Sequence, residues 1–138
     1  QSYVIFRLNS FSRNLRNELK TSKKIYFYDN GIRNALIANF NQIEGRADRG
    51  ALWENFLISE RKKFLEYNRL WGNSWFWRTK EQKEIDLVEE RDGKITGYEF
   101  KWNPDQKVKI PRLFLDSYEN SDFQVIHRDN CDSFLLEY

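Results

Sequence analysis

Short apolar runs alternate with polar stretches along this chain, and the clearest alternation spans residues 83–102, KEIDLVEERDGKITGYEFKW. Ile85 and Leu87 alternate with Glu84, Asp86 and Val88. Tyr98, Phe100 and Trp102 alternate with Gly97, Glu99 and Lys101. A period of two predicts strands. Asp92-Gly93 between the runs predicts a hairpin, because a type I′ turn needs positive φ at both central residues. With those two at the turn, Arg91 faces Lys94, Leu87 faces Tyr98, Ile85 faces Phe100, Asp86 faces Glu99 and Glu84 faces Lys101. One face is then apolar, and the other stacks three carboxylates and a lysine. A slip by one residue would set Asp86 against Tyr98 and mix the faces.

The remaining pattern predicts further elements. Residues 2–8, SYVIFRL, read as a strand. Residues 9–24 are polar, and Arg13, Arg16, Lys20, Lys23 and Lys24, with Arg7 just before, outweigh Glu18. This stretch is either a solvated loop or frayed helix, or a phosphate-contacting wing. Residues 25–28 form a second strand. Asp29 or Asn30 then caps a helix over 31–40, with Ile32, Leu36, Ile37 and Phe40 at helical spacing. Residues 41–49 are a polar loop. The main helix spans 50–66, with Leu52, Trp53, Phe56, Leu57 and Phe64 on one face. Glu60 falls inside that face and Glu54 at its edge. A carboxylate there is costly unless it is paired or bound to a metal.

A strand at 74–79 sets Trp75 and Trp77 on one face and Phe76 and Arg78 on the other. Asn103-Pro104-Asp105 breaks the third strand of the set. Pro111 opens a helix to about residue 120, residues 123–127 form a strand, and 133–138 a last apolar element. Helix, three strands, helix, strand is an α/β layout, with helices packed on a mostly antiparallel sheet.

Composition narrows the function. Five Trp, seven Tyr and eleven Phe predict a core built on rings. Lysines and arginines nearly balance the acids at a net +2, so nucleic-acid binding has to rest on a local patch. The single cysteine, Cys131, excludes an internal disulfide and suits a reducing, cytoplasmic setting. His127 is the only histidine, which excludes a multi-histidine metal site. Nothing approaches the length of a membrane span. The chain begins at Gln1 and lacks methionine, which suggests a piece of a longer protein.

The chemistry concentrates in Glu84-Ile85-Asp86 and Glu99-Phe100-Lys101. Like charges directly opposed across a sheet destabilise it. The Asp86–Glu99 pair therefore calls for a divalent cation, a raised carboxyl pKa or neutralisation by Lys101. Oxygen ligands suit Mg²⁺ or Mn²⁺.

These residues resemble the PD-(D/E)xK nuclease superfamily. Asp86 looks like its first acidic ligand, Glu99 like the second, Lys101 like its lysine, and Glu54 like the additional acid on the preceding helix. Ile85 stands where the family carries proline. The element order over about 50–127 is similar to that superfamily's core. The resemblance implies a restriction-endonuclease-like core (helix, three-stranded antiparallel meander, helix, strand) with a small N-terminal strand and helix extension. It also implies metal ligation by Asp86, Glu99 and Glu54, and phosphate contacts from Arg78 and Lys83.

A longer resemblance rests on KKIYFYDNGIRNAL, RGALWENFLISE, FWRTKEQKEIDLV and GYEFKW. It is to the C-terminal domain of bacterial and archaeal AAA+ type ATPases. It implies the end of a winged-helix-like part at 1–24, a nuclease-like domain at 25–138, and an ATPase domain of the same chain as partner. No GxxxxGK[ST] run is present, so ATP binding would lie elsewhere in the parent protein. Three expectations stand: a Mg²⁺-dependent phosphodiesterase, an inactive nucleic-acid- or partner-binding module on the same scaffold, and a plain salt-bridge ladder.

Overall fold

The computed structural model describes residues 4–13, 18–19, 22–28, 49–69 and 73–136. The predicted helix at 31–40 with its Asp29 or Asn30 cap, and basic Arg16 and Lys20, lie outside them. The described chain is a mixed α/β fold with a six-stranded sheet. In chain order it runs β1 (Val4–Ser10), β2 (Lys23–Tyr28), α1 (Arg49–Tyr67), β3 (Asn73–Arg78), β4 (Glu84–Arg91), β5 (Lys94–Phe100), α2 (Arg112–Ser117), β6 (Ser121–Ile126) and α3 (Cys131–Leu136). Across the sheet the order is β2-β1-β3-β4-β5-β6. The meander β3-β4-β5 is antiparallel, while β1 joins β3, and β6 joins β5, in parallel. Of residues 133–138, read only as an apolar element, 133–136 belong to helix α3, and 137–138 lie outside the described residues. No helix among the described residues is long and apolar enough to cross a membrane.

Each face of the sheet carries its own core. Phe6, Leu8, Tyr26, Phe76, Leu87, Tyr98 and Phe100 pack with Trp53, Phe56, Leu57 and Ile58 of α1 and Phe134 of α3. On the other face Phe11, Trp77, Ile85, Val88 and Ile95 pack with Phe114 and Tyr118 from α2 and the residue that follows it. The expected split of Trp75 and Trp77 from Phe76 holds. β1 and β2 pair along Val4↔Tyr28 to Asn9↔Lys23 and share the α1-side core. Residue 24, the expected boundary, lies in β2 opposite Leu8 of β1.

The β4–β5 turn forms as predicted, with Asp92 at φ 52° and Gly93 at φ 80°. The predicted register also holds from Arg91↔Lys94 to Leu87↔Tyr98. There the ladder stops, and two predicted pairs, Ile85 with Phe100 and Asp86 with Glu99, do not form. The reason lies on the other side of β4. Trp75 pairs with Val88, but Trp77 pairs with Ile85. Two residues of β4, Asp86 and Leu87, thus oppose the single Phe76, which is a β-bulge. The bulge reverses the alternation. Ile85 joins the α2-side core while Leu87 joins the α1-side core, so the single apolar face expected of both is corrected. Gly97 permits this, because a methyl group there would lie 3.2 Å from Ile85 Cγ2.

Candidate functional site

The bulge creates the site's first contact. Past the end of the ladder, the backbone N–H of Phe100 donates to Asp86 Oδ2 at 2.8 Å. A side chain of β4 replaces the backbone acceptor that a regular ladder would offer. Asp86 comes within hydrogen-bonding reach of Glu54 on α1. Helix α1 is held there by the sheet itself. Trp53 Nε1 donates to Lys101 O at 3.0 Å, and Asn55 brackets Phe27 with two hydrogen bonds, at 3.0 and 3.2 Å.

Glu54 therefore meets three groups from two strands. Tyr26 on β2 donates its O–H to Glu54 Oε2 at 3.2 Å, and Lys24 Nζ lies 3.8 Å from Glu54 Oε1. Burial, then the charge of Asp86 and a hydrogen bond to it, push the Glu54 carboxyl up to about 7 against the pull of Lys24 and Tyr26. Glu99 also rises to about 7, through burial and then the charge of Asp86, despite Lys101 Nζ at 3.5 Å from its Oε1. The Tyr26 hydroxyl is raised by burial and by Glu54. Like charge is thus concentrated where low polarity makes it costly.

Glu84 behaves differently. The pairing expected with Lys101 is corrected: Lys101 holds Glu99, and Glu84 is taken by Lys24 Nζ and by Arg78 Nη2, the latter at 3.2 Å. Burial pushes its carboxyl up, but Lys24 and then Arg78 more than offset that and leave it below the usual value. Arg78 and Lys24 both lie over the Phe76 ring, at 5.2 and 5.1 Å from its centroid. Lys83 is exposed, in the turn that Thr79 closes by accepting the Lys83 N–H on Oγ1. Glu60, the other helix acid singled out by position, pairs with Lys63 at 3.3 Å and stays apart from this cluster.

The structure thus brings Glu54, Asp86, Glu99, Lys101, Glu84 and Arg78 to one end of the sheet. Glu54 and Asp86 are in contact; Asp86 reaches Glu99 through its charge. All donors are carboxylate oxygens. Among the described residues no group of three or more His, Cys, Asp or Glu side chains is set closely enough to hold a metal ion. Lys24, read only within the basic stretch, and Tyr26, read only within a strand, were not placed at this site by sequence reasoning. Their signal was present as the period-two run Lys24-Ile25-Tyr26, in which alternate residues face the core.

Comparison with known proteins matches two family models to separate parts of the chain. Residues 49–131 match the model of the family described as Domain of unknown function (DUF4143), and residues 1–43 match that of Domain of unknown function (DUF8612). Two curated relatives are Uncharacterized protein Rv2008c of Mycobacterium tuberculosis and Uncharacterized protein Mb2031c of Mycobacterium bovis. Each is 30% identical over 100 residues, which cover 71% of this chain and 22% of the relative. The chain thus spans about a fifth of the length of the curated relatives it matches. No solved structure matches it.

Proposed function

From the premise that the chain belongs to the family described as Domain of unknown function (DUF4143), we propose that it is the C-terminal, nuclease-like domain of an AAA+ type ATPase. Its core is then restriction-endonuclease-like, its setting cytoplasmic, and its acidic site takes Mg²⁺ or Mn²⁺ and acts on a phosphodiester backbone. The observation that carries this reading is the Glu54–Asp86 contact, with Glu54 and Glu99 both raised to about 7 by burial and the charge of Asp86. Carboxylates forced together relieve their repulsion by taking up a proton or a cation. Perturbed acids of this kind cluster at functional sites.

The donor set fits a hard divalent cation in kind. Asp86, Glu99 and Glu54 would hold it. Such an ion polarises a phosphoryl oxygen and lowers the pKa of bound water. The chain's own groups do the rest. Lys101 Nζ orients water or balances charge on the phosphate. Glu54 assists at the metal or through a bridging water. Arg78 and Lys83 contact the backbone phosphates.

A second reading draws on a specific observation. Asp86 Oδ2 already accepts the Phe100 N–H, and no three-carboxylate group is set for an ion among the described residues. That favours an inactive nucleic-acid- or partner-binding module reporting to the ATPase. Cleavage of labelled DNA with Mn²⁺ or Mg²⁺ separates the two. Asp86→Ala and Lys101→Ala should each lower the rate by about a hundredfold or more. Equal residual cleavage in all three proteins removes the hydrolytic reading, and duplex binding without cleavage supports the second.

A further inference from the structure

We propose that Lys24 and Arg78 form a phosphate subsite, and that the Glu84 carboxylate is a built-in competitor that a phosphodiester displaces. The inference rests on the nucleic-acid reading above and names the substrate group that this corner of the site receives.

The geometry is that of an anion held in a fork. Lys24 Nζ approaches Glu84 Oε1 from β2, and Arg78 Nη2 approaches the same oxygen at 3.2 Å from β3. Both cations lie over the ring of Phe76, which is fully buried. The two donors are therefore held in place by the floor as well as by Glu84. Arg78 pairs with Glu84 in register across β3 and β4, so the backbone fixes this half of the fork. β2 sets the other half, with Lys24 only 17% exposed.

Glu84 is the most accessible of the three. It opens β4, and its side chain is 34% exposed, twice as accessible as that of Lys24. Nothing ties its carboxylate except these two cations, among the contacts of the described residues. A carboxylate and a phosphate present the same kind of charged acceptor to a lysine and an arginine. The fork also lies beside Asp86, two residues along β4. A phosphate in it would therefore set the adjoining phosphodiester next to Glu54 and Asp86. Lys24 still has Glu54 at 3.8 Å when Glu84 swings away, so the exchange leaves no cation stranded.

The test is binding of a short fluorescein-labelled DNA duplex to the 138-residue chain, in EDTA, over a series of salt concentrations. Inorganic phosphate serves as competitor. Lys24→Gln and Arg78→Gln should each weaken binding by about tenfold, as expected for losing one charged hydrogen bond. Each should also reduce the salt slope by about one unit. Glu84→Gln should tighten binding severalfold and make inorganic phosphate a better competitor. Lys24→Gln in the Glu84→Gln background removes an unpaired carboxylate as a cause of misfolding and should still lose the tenfold. Lys94→Gln, at the far end of the meander, controls for the loss of one positive charge. A wild type that binds the duplex, with no gain in Glu84→Gln, overturns this inference and leaves the broader reading standing. A wild type that binds neither duplex nor phosphate overturns both.

Discussion

Helix α1 meets strand β4 twice, and the two meetings have opposite electrostatic character. At one, Arg61 holds Glu89 by two hydrogen bonds, Nε to Oε2 at 3.0 Å and Nη2 to Oε1 at 2.9 Å, and its Nη1 donates to Phe134 O at 2.6 Å. Both residues are under 10% exposed. At the other, Glu54 comes up against Asp86, and burial with the charge of Asp86 pushes the Glu54 carboxyl up. The same two elements thus carry a matched pair and a mismatched pair. A matched buried pair cross-ties the helix, the sheet and α3. A mismatched pair is a place where the fold holds charge in want of a counter-ion. The contrast separates a tie between elements from the acidic cluster that makes up the candidate site.

The largest effect should come from breaking the matched end. Arg61→Ala leaves Glu89 buried without its cation, and urea denaturation should show a loss of about 3–5 kcal/mol. Replacing both partners, Arg61→Met with Glu89→Leu, should recover most of it. A single variant costing no more than a surface substitution would remove the contrast.

Next comes the mismatched end. Mg²⁺ at about a hundredfold above its dissociation constant should stabilise the wild type by about 2.7 kcal/mol. Asp86→Asn should abolish the increment, while Arg61→Ala should keep it on its lower baseline. An equal increment in Asp86→Asn would mean that the ion binds elsewhere.

The pH profile should move somewhat less. Glu54 and Glu99 titrate near 7 in the folded chain against 4.5 ordinarily. The folded state therefore binds more protons than the unfolded one across that window, and stability falls as pH rises through it. The pair should make stability fall between about pH 5 and 8, most steeply near 7. Glu54→Gln should flatten the profile by about half. A wild-type profile flat over this range would contradict the raised values. The smallest effect belongs to Gly97→Ala. Its methyl group, 3.2 Å from Ile85 Cγ2, presses on the residue beside the bulge and should cost about 1 kcal/mol.

Much of this could be read from residue order. The Asp92-Gly93 turn, the register as far as Leu87↔Tyr98 and the split of Trp75 and Trp77 from Phe76 each rest on a local rule. The candidate acids were picked out individually, and Glu54 was found from its place at the edge of a helix face. Arg61 was missed although it lies four residues from both Leu57 and Leu65, on the helix's buried line. A cation there pointed to a buried acid, and Glu89 was the one on the matching face of β4. Glu18 was missed as well. It reads as the odd acid of a basic stretch, yet it is 2% exposed and accepts from the Trp77 indole, the Tyr118 hydroxyl at 2.5 Å and the Arg13 N–H at 3.1 Å. The Trp77 and Tyr118 donors stand more than fifty residues away, beyond the reach of any periodicity.

By itself, then, the sequence determined the local conformations and the inventory of charge: a primed turn, alternating strands, an amphipathic helix, and acids in excess near the end of the meander. Local sterics and burial periods act over a few residues, so order alone suffices for these. Only the tertiary structure decided which charges meet. One extra residue in β4 ended the ladder at Leu87, turned Asp86 toward Glu54 and handed it the Phe100 N–H. The approach of β2 then brought Lys24 and Tyr26 to acids far along the chain. Coulomb energy depends on distance in space and on local polarity, and neither is a property of separation along the chain.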